Sequence, residues 1–206
     1  MKFKAKFIYL ISPNKIYSDF YEDLKEILKT KKVKYFQLRL KKISKNKIIS
    51  ISRNVRKICK SFDVKFIIND DPSIAKIVNA DGCHLGQKDM HIKKARKILK
   101  NKIIGVTCNN SHKKVKDALK NKADYIALGA FYETKTKKTK FRARLKLISE
   151  TKKLTNIPIV AIGGITSKNY KNLLLHKANF LAISGYIWNN KKLTPKEAIS
   201  LLNYEN

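Results

Sequence analysis

Acidic side chains follow two successive apolar runs of this chain. Asn69-Asp70-Asp71 comes directly after one run, and Asp89 lies just beyond the next. The sequence holds only 15 Asp and Glu residues, so acids after both runs stand out. Carboxylate oxygens suit Mg²⁺, which keeps water molecules and takes substrate phosphates as further ligands. We therefore predict that Asp70 and Asp89 bind a metal, with helix capping as the alternative for Asp71 and Asp89.

An amide and two cations alternate with leucines in Gln37-Leu38-Arg39-Leu40-Lys41. In a strand, alternate residues share one face, so these three polar side chains would point together. Burying them is costly without an anionic partner, which makes the stretch a candidate anion-binding face. The alternative is an edge strand with a solvated face in a lysine-rich chain.

Candidate phosphate-binding features follow three later apolar runs. Gly163-Gly164 and Ser184-Gly185 would let backbone N–H groups approach a phosphate, although tight turns also need glycine. Thr134-Lys135-Thr136-Lys137 offers hydroxyls and ammonium groups to an anion. Such a loop is also ordinary in a chain that is rich in Thr and Lys.

Short apolar strands alternate with amphipathic helices and must position these residues. We expect one domain of residues 1–206. The predicted strands are 6–11, 33–40, 64–68, 82–85, 103–106, 125–128, 157–162 and 180–183. The predicted helices are 19–31, 45–60, 72–78, 91–99, 111–121, 142–154, 167–176 and 195–202. Eight β/α units predict an α/β fold of the (β/α)8 TIM-barrel type, whose chemistry lies at the carboxyl ends of the strands. An open, doubly wound sheet is the alternative, but Ser12-Pro13-Asn14 lacks the glycines of a dinucleotide fingerprint.

The charge is extreme, with 47 Lys and Arg residues and a net charge of +32. A nucleic-acid-binding protein is one interpretation, but the lysines are spread along the chain and no motif with interleaved aromatics accompanies them. We expect no specific nucleic acid partner and no membrane partner, because no apolar run approaches the length of a membrane helix. Three cysteines without close spacing favour a cytoplasmic protein without disulfides. The oligomeric state stays open, a homo-oligomer included.

Five motifs in this order resemble the thiamine-phosphate synthase family. They are Gln37-Leu38-Arg39-Leu40-Lys41, Ile67-Ile68-Asn69-Asp70, the stretch from Ala80 to Asp89, Thr134-Lys135-Thr136-Lys137 and Ala161-Ile162-Gly163-Gly164-Ile165. The resemblance covers nearly the whole chain. It implies a Mg²⁺-dependent (β/α)8 barrel that joins 4-amino-5-hydroxymethyl-2-methylpyrimidine pyrophosphate (the pyrimidine pyrophosphate) to 4-methyl-5-(2-phosphooxyethyl)thiazole (the thiazole phosphate). The products would be thiamine phosphate and pyrophosphate.

The resemblance also implies two sets of substrate contacts and one metal site. The pyrimidine pyrophosphate would contact Gln37, Arg39, Lys41, Asn69, Thr107 and Lys137. The thiazole phosphate would contact Thr134, Thr136, Gly164, Ile183 and Ser184. Mg²⁺ would be held by Asp70 and Asp89. Catalysis would depend on Arg39, Lys41, Lys137 and Thr107, the last of which replaces a serine of the family and keeps its hydroxyl.

Departures from the family pattern surround the sixth strand. Gly129-Ala130 replaces a Gly-Pro pair, Glu133 replaces a proline, and residues 138–144 lack an expected glycine. The resemblance therefore does not predict the shape of this loop. His84 lies within a buried run, where a histidine is more often a hydrogen-bonded interior residue than a catalyst. A thiazole tautomerase resembles the synthase and remains an alternative, but it would not need the pyrophosphate-binding set.

Overall fold

A closed barrel of eight parallel strands forms the centre of the computed structural model, which describes residues 7–134 and 142–203. Each strand pairs with the next one in the sequence, and the last pairs with the first. The strands are β1 Ile8–Ile11, β2 Val33–Leu38, β3 Lys65–Asn69, β4 Gly82–Leu85, β5 Ile103–Asn109, β6 Tyr125–Gly129, β7 Ile159–Ile162 and β8 Phe180–Ile183. The predicted TIM barrel is confirmed. The open sheet and the edge-strand interpretation of β2 are wrong, because β2 lies between β1 and β3.

Helices follow the strands around the outside of the barrel. Within the described residues they are α1 Phe20–Lys29, α2 Lys45–Ser61, α3 Pro72–Ile77, α4 Ile92–Leu99, α5 His112–Lys120, α6 Lys146–Lys152, α7 Tyr170–Leu175, α8 Gly185–Trp188 and α9 Pro195–Ser200. Several begin at a side chain that accepts a hydrogen bond from the first turn, among them Ser44 before α2 and Thr194 before α9. Among these helices, none is long and apolar enough to cross a membrane.

Two apolar layers hold the barrel together. The larger layer lies between strands and helices, where residues such as Phe36, Phe66 and Leu181 are fully buried. The smaller layer fills the barrel interior and includes Tyr9 and Tyr125. Because successive strand residues point to opposite faces, each strand supplies both layers. This division leaves the carboxyl ends of the strands free for polar side chains.

Three equivalent turns fasten neighbouring strands at the opposite, amino-terminal end of the barrel. Asp81 precedes β4, Asp124 precedes β6, and Asn179 precedes β8. Each side chain accepts a hydrogen bond from a backbone N–H near the start of the preceding strand, at 2.7 to 2.9 Å. In return, the backbone N–H of each donates to the carbonyl of that same strand residue. Arg96 also contacts the Asp124 carboxylate at 2.6 Å.

We expect Asp124→Ala to lower the free energy of unfolding by about 1–3 kcal/mol, the range for a backbone N–H that loses its partner. Asp124→Asn keeps an acceptor, as Asn179 does in the equivalent turn, and should be milder. Denaturant unfolding of both variants checks this expectation. Equal destabilisation by Asn and Ala would assign the effect to the ion pair with Arg96 instead.

Candidate active site

Asp70 and Asp89 meet at the carboxyl ends of neighbouring strands. Asp70 directly follows β3, has a φ of 66°, and donates its backbone N–H to the carbonyl of His84 in β4 at 2.8 Å. Asp89 Oδ2 accepts the backbone N–H of Gly86 at 2.6 Å. The two carboxyl groups lie close enough for each to shift the pKa of the other. The neighbouring strand ends therefore bring these carboxyl groups near each other, and their role as metal ligands stays a prediction.

The pKa values of the two carboxyl groups are shifted in opposite directions. Burial raises the pKa of Asp89, and the hydrogen bond with Asp70 raises it further. Burial opposes ionisation of Asp70 as well, but hydrogen bonds with Asp89 and Lys41 hold its pKa below the ordinary value. Two carboxyl groups in contact favour a cation or a proton between them, because like charges at this distance repel.

The carboxylate of Asp71 caps a helix. Its carboxylate accepts the backbone N–H groups of Ser73 and Ile74 at 2.9 and 3.1 Å, at the start of α3. Pro72 occupies the first helical position, which favours this arrangement. The capping alternative therefore holds for Asp71. It does not apply to Asp89, because α4 is capped by His91.

The polar residues of the second strand reach three different places. Gln37 is buried inside the barrel, where Nε2 donates to Tyr9 Oη at 2.9 Å. Arg39 lies beyond the end of β2, and its Nη1 donates to Asn14 Oδ1 at 3.2 Å. Lys41 forms an ion pair with Asp70. The prediction that the three side chains share one strand face is wrong, because β2 ends at Leu38 and Arg39 and Lys41 lie beyond it. Their binding of an anion stays a prediction.

Asn14 and Ser12 are residues that the sequence interpretation missed. Ser12 Oγ accepts the backbone N–H of Arg39 at 2.9 Å, and Ser184 Oγ donates to the Ser12 carbonyl at 3.1 Å. This loop after β1 thus joins the end of β2 to the end of β8. The sequence signal for these residues was the polar segment Ser12-Pro13-Asn14 directly after an apolar strand. Ser12 is buried in the structure, and a buried hydroxyl needs hydrogen-bond partners.

His84 lies inside the barrel and is hydrogen-bonded at both ring nitrogens. Nδ1 lies 2.8 Å from Tyr125 Oη, and Nε2 lies 2.7 Å from Thr107 Oγ1. Burial lowers the pKa of His84 to about 4, so the imidazole is neutral at ordinary pH. Gln87 Nε2 donates to the carbonyl of Thr107 and ties the loop after β4 to β5. The expected interior, hydrogen-bonded role of His84 matches this geometry.

Both glycines after β7 are required by the shape of the loop. Gly163 has a φ of 98° and Gly164 a φ of 64°, conformations that favour glycine. A Cβ at Gly164 would lie 2.1 Å from the Glu133 carbonyl oxygen, and one at Gly163 would lie 2.4 Å from the Ala130 Cβ. Turn geometry and close approach therefore account for both residues, whether or not a phosphate contacts their N–H groups.

The remaining predicted contacts surround the ends of β3, β6 and β8. Asn69 ends β3, Ile183 is buried at the end of β8, and Ser184 follows it. Thr134 closes the described part of the loop after β6. Thr136 and Lys137 lie outside the described residues, so their predicted roles rest on the sequence.

A family model and several related proteins match this chain over most of its length. A family model described as thiamine monophosphate synthase matches residues 8–187. A thiamine-phosphate synthase from Pelagibacter ubique (strain HTCC1062) is 61% identical over 202 residues, which are 98% of this chain and 98% of that protein. One from Methanococcus maripaludis (strain C6 / ATCC BAA-1332) is 38% identical over 84% of this chain and 83% of its own length.

Solved structures agree with the sequence comparisons. A thiamine phosphate pyrophosphorylase from Pyrococcus furiosus superposes with a TM-score of 0.82 at 26% identity, covering 96% of both chains. A 3-hexulose-6-phosphate synthase from Salmonella typhimurium superposes with a TM-score of 0.68 over 94% of this chain and 96% of its own. At 11% identity, the latter likeness concerns the fold alone.

Proposed function

This chain belongs to the thiamine monophosphate synthase family and is a transferase that makes thiamine phosphate. We propose that the reaction takes place at the carboxyl end of the barrel and follows a dissociative route. The C–O bond between the pyrimidine methylene and pyrophosphate breaks first, and the pyrimidine ring shares the positive charge. Pyrophosphate takes the electron pair of that bond, and the thiazole nitrogen then attacks the methylene carbon to form the new C–N bond. No protein nucleophile or general base is needed.

The carboxyl groups of Asp70 and Asp89 are suited to Mg²⁺. They are oxygen donors near enough to shift each other's pKa, and the proximity of two ionised carboxylates is costly without a cation. Among the described residues, no group of three or more His, Cys, Asp or Glu side chains could hold a metal. Two carboxylates match the preference of Mg²⁺ for few protein ligands, with water and phosphate oxygens as the rest. When bound, the ion would neutralise charge that develops on the departing pyrophosphate.

Cationic side chains beside the carboxylates would hold the pyrophosphate. The observation that carries this assignment is the Lys41–Asp70 ion pair, which places an ammonium group directly at the proposed metal site. Arg39, oriented by Asn14, presents its guanidinium at the neighbouring strand end. Lys137 would add a third cation from the loop after β6, and Asn69, Gln37 and Thr107 would supply hydrogen bonds. These groups favour the ionised leaving group and orient it for departure.

The thiazole phosphate would bind on the opposite side of the barrel mouth. Its proposed contacts follow β6, β7 and β8 and are Thr134, Thr136, Gly164, Ile183 and Ser184. The loops after the last two strands are the usual phosphate site of TIM barrels, which supports this placement. Keeping the two anions on separate sides would align the thiazole nitrogen with the methylene carbon.

The proposed setting is the cytoplasm, with these two small molecules as partners. Cys59, Cys83 and Cys108 are buried and unpaired, which suits a reducing compartment. The net charge of +32 would attract both anionic substrates. It would also give weak, salt-sensitive attraction to DNA without sequence preference.

Incubating the protein with both precursors, with and without Mg²⁺, tests this function. We expect thiamine phosphate and pyrophosphate to form in equal amounts, and only when Mg²⁺ is present. Chromatography of the products and a pyrophosphate assay measure the two together. Product formation that persists at full rate in excess chelator would remove the metal from the proposal and leave the family assignment intact.

A further inference from the structure

A continuous chain of hydrogen bonds crosses the inside of the barrel and ends at two residues of the proposed pyrimidine pyrophosphate site. Gln37 Nε2 donates to Tyr9 Oη at 2.9 Å, and Tyr9 Oη lies 2.7 Å from Tyr125 Oη. Tyr125 Oη lies 2.8 Å from His84 Nδ1, and His84 Nε2 lies 2.7 Å from Thr107 Oγ1. Gln37, Tyr9, Tyr125 and His84 are all buried, whereas Thr107 is partly exposed.

The barrel is shaped to allow this chain. Tyr125 lies over Gly105 of β5, where a Cβ would come within 1.8 Å of the phenol ring. The ring stacks against His84, with centroids 5.6 Å apart and planes 19° apart. A side chain at position 105 would displace Tyr125 and break the chain between β1 and β4.

Each hydroxyl has one hydrogen, so when every one of these hydrogens is used within the chain, the direction of the bond to Tyr9 sets all the others. When Gln37 donates to Tyr9, Tyr9 must donate to Tyr125, and Tyr125 must donate to His84 Nδ1. The neutral imidazole then carries its hydrogen on Nε2 and donates it to Thr107. The Thr107 hydroxyl accepts from His84 and has its own hydrogen free to donate elsewhere.

If the hydrogen bonds ran in the opposite direction, the Thr107 hydroxyl would donate its hydrogen to His84 Nε2. Its oxygen lone pairs would then face any anion at the strand end, which is unfavourable. An anionic ligand beside Thr107 therefore selects the direction in which Gln37 donates first.

We propose that His84, held in one tautomer by Tyr125, is a positioning residue that fixes the Thr107 hydroxyl as a hydrogen-bond donor to the departing pyrophosphate. This inference rests on the proposed function, which places the pyrophosphate beside Thr107. It assigns His84 no proton transfer and no contact with substrate. The donor is set before the reaction begins, so no reorientation is needed as charge develops on the leaving group.

Two replacements of His84 separate the ends of its ring. In His84→Gln the side-chain amide can place an N–H near the position of Nε2 and keep the donation to Thr107. In His84→Asn the shorter amide reaches only the position of Nδ1, so the contact with Tyr125 is kept and that with Thr107 is lost. We expect His84→Asn to lower kcat roughly tenfold to a hundredfold, by analogy with the loss of residues that orient the ligands of a metal. His84→Gln should retain most of the wild-type kcat.

A double-mutant cycle tests whether His84 acts through the Thr107 hydroxyl. Thr107→Val removes the hydroxyl at nearly constant volume and should lower kcat by about 10²- to 10³-fold, as for other lost anion donors. Adding His84→Asn to Thr107→Val should then cost no more than about twofold. Tyr125→Phe combined with Thr107→Val should behave in the same way. Thr107→Ser keeps the hydroxyl and should remain sensitive to His84→Asn.

Additive losses in both cycles, or equal activity of His84→Gln and His84→Asn, would overturn the proposal, because a purely structural role predicts them. Melting temperatures of all variants identify any that fail to fold, and the Tyr125→Phe cycle decides the question if His84→Asn is one of these. Failure of the proposed function would look different, since the wild-type protein itself would then form no thiamine phosphate.

Discussion

Replacing Asp70 or Asp89 by asparagine is expected to lower the rate of thiamine phosphate formation by about 10²- to 10³-fold. Charge stabilisation by a metal contributes several kcal/mol to such reactions, and each 1.4 kcal/mol corresponds to about tenfold in rate. Asparagine keeps the size of the side chain but removes the charge that would hold Mg²⁺. The two carboxyl groups follow neighbouring strands and shift each other's pKa, so each loss should act on the same site.

Asp71→Asn is the matched control for this prediction. The control residue is adjacent in sequence and loses the same charge, but its side chain caps α3. Asparagine is as good a cap as aspartate, so stability and activity should stay close to those of the wild type. Rates at a series of Mg²⁺ concentrations measure the effect. A variant of Asp70 or Asp89 that keeps the wild-type rate and Mg²⁺ dependence would remove that residue from the metal site.

Much of the barrel could be predicted because its strands are short apolar runs with turn residues between them. Strands that are buried on both faces show continuous apolar character, and the run Phe66-Ile67-Ile68 in β3 is an example. Capping residues and prolines then located the helix starts, such as Asp71-Pro72 before α3. The helix α8 was missed because four residues are too few to show helical periodicity.

The polar interior could not be predicted from the sequence. Tyr9 and Tyr125 each stand within an apolar run, where a buried hydroxyl needs a partner, and this much was readable. Their contact joins residues 116 positions apart, and only barrel closure with its register brings them together. Likewise, the alternation of Gln37, Arg39 and Lys41 predicted a shared face. It did not show that Gln37 would turn inward while Lys41 would reach Asp70.

The second large effect should separate the two proposed anion sites. Arg39→Ala is expected to slow thiamine phosphate formation by about 10²-fold or more, because a charge-assisted contact with the leaving group is lost. Lys137→Ala should act in the same direction if the loop after β6 delivers its ammonium group. Binding of the thiazole phosphate alone should change little in either variant, since neither substitution removes its proposed contacts Gly164 and Ser184 after β7 and β8. Lys47→Ala is the control, because it removes an exposed lysine of α2 from a chain with 47 basic residues.

The converse effect is expected at the end of β8. Ser184→Asp places a carboxylate where the thiazole phosphate would bind, and like charges repel, so its affinity should fall by at least about tenfold. Ser184→Asn has nearly the same shape without the charge and should bind more tightly than Ser184→Asp. Calorimetric titration with the thiazole phosphate and initial rates of thiamine phosphate formation measure the two properties separately.

These variants also distinguish the synthase from a thiazole tautomerase. A tautomerase needs one phosphate site and an acid or base, and it has no use for cations around a leaving pyrophosphate. Among the described residues, Lys41 pairs with Asp70 after β3, whereas Ser184 after β8 reaches the end of β2 only through the Ser12 carbonyl. If Arg39→Ala abolished thiazole phosphate binding, the two anions would share one site and this assignment of contacts would fail. Isomerisation of a thiazole carboxylate phosphate by the wild-type protein, without formation of thiamine phosphate, would favour the tautomerase.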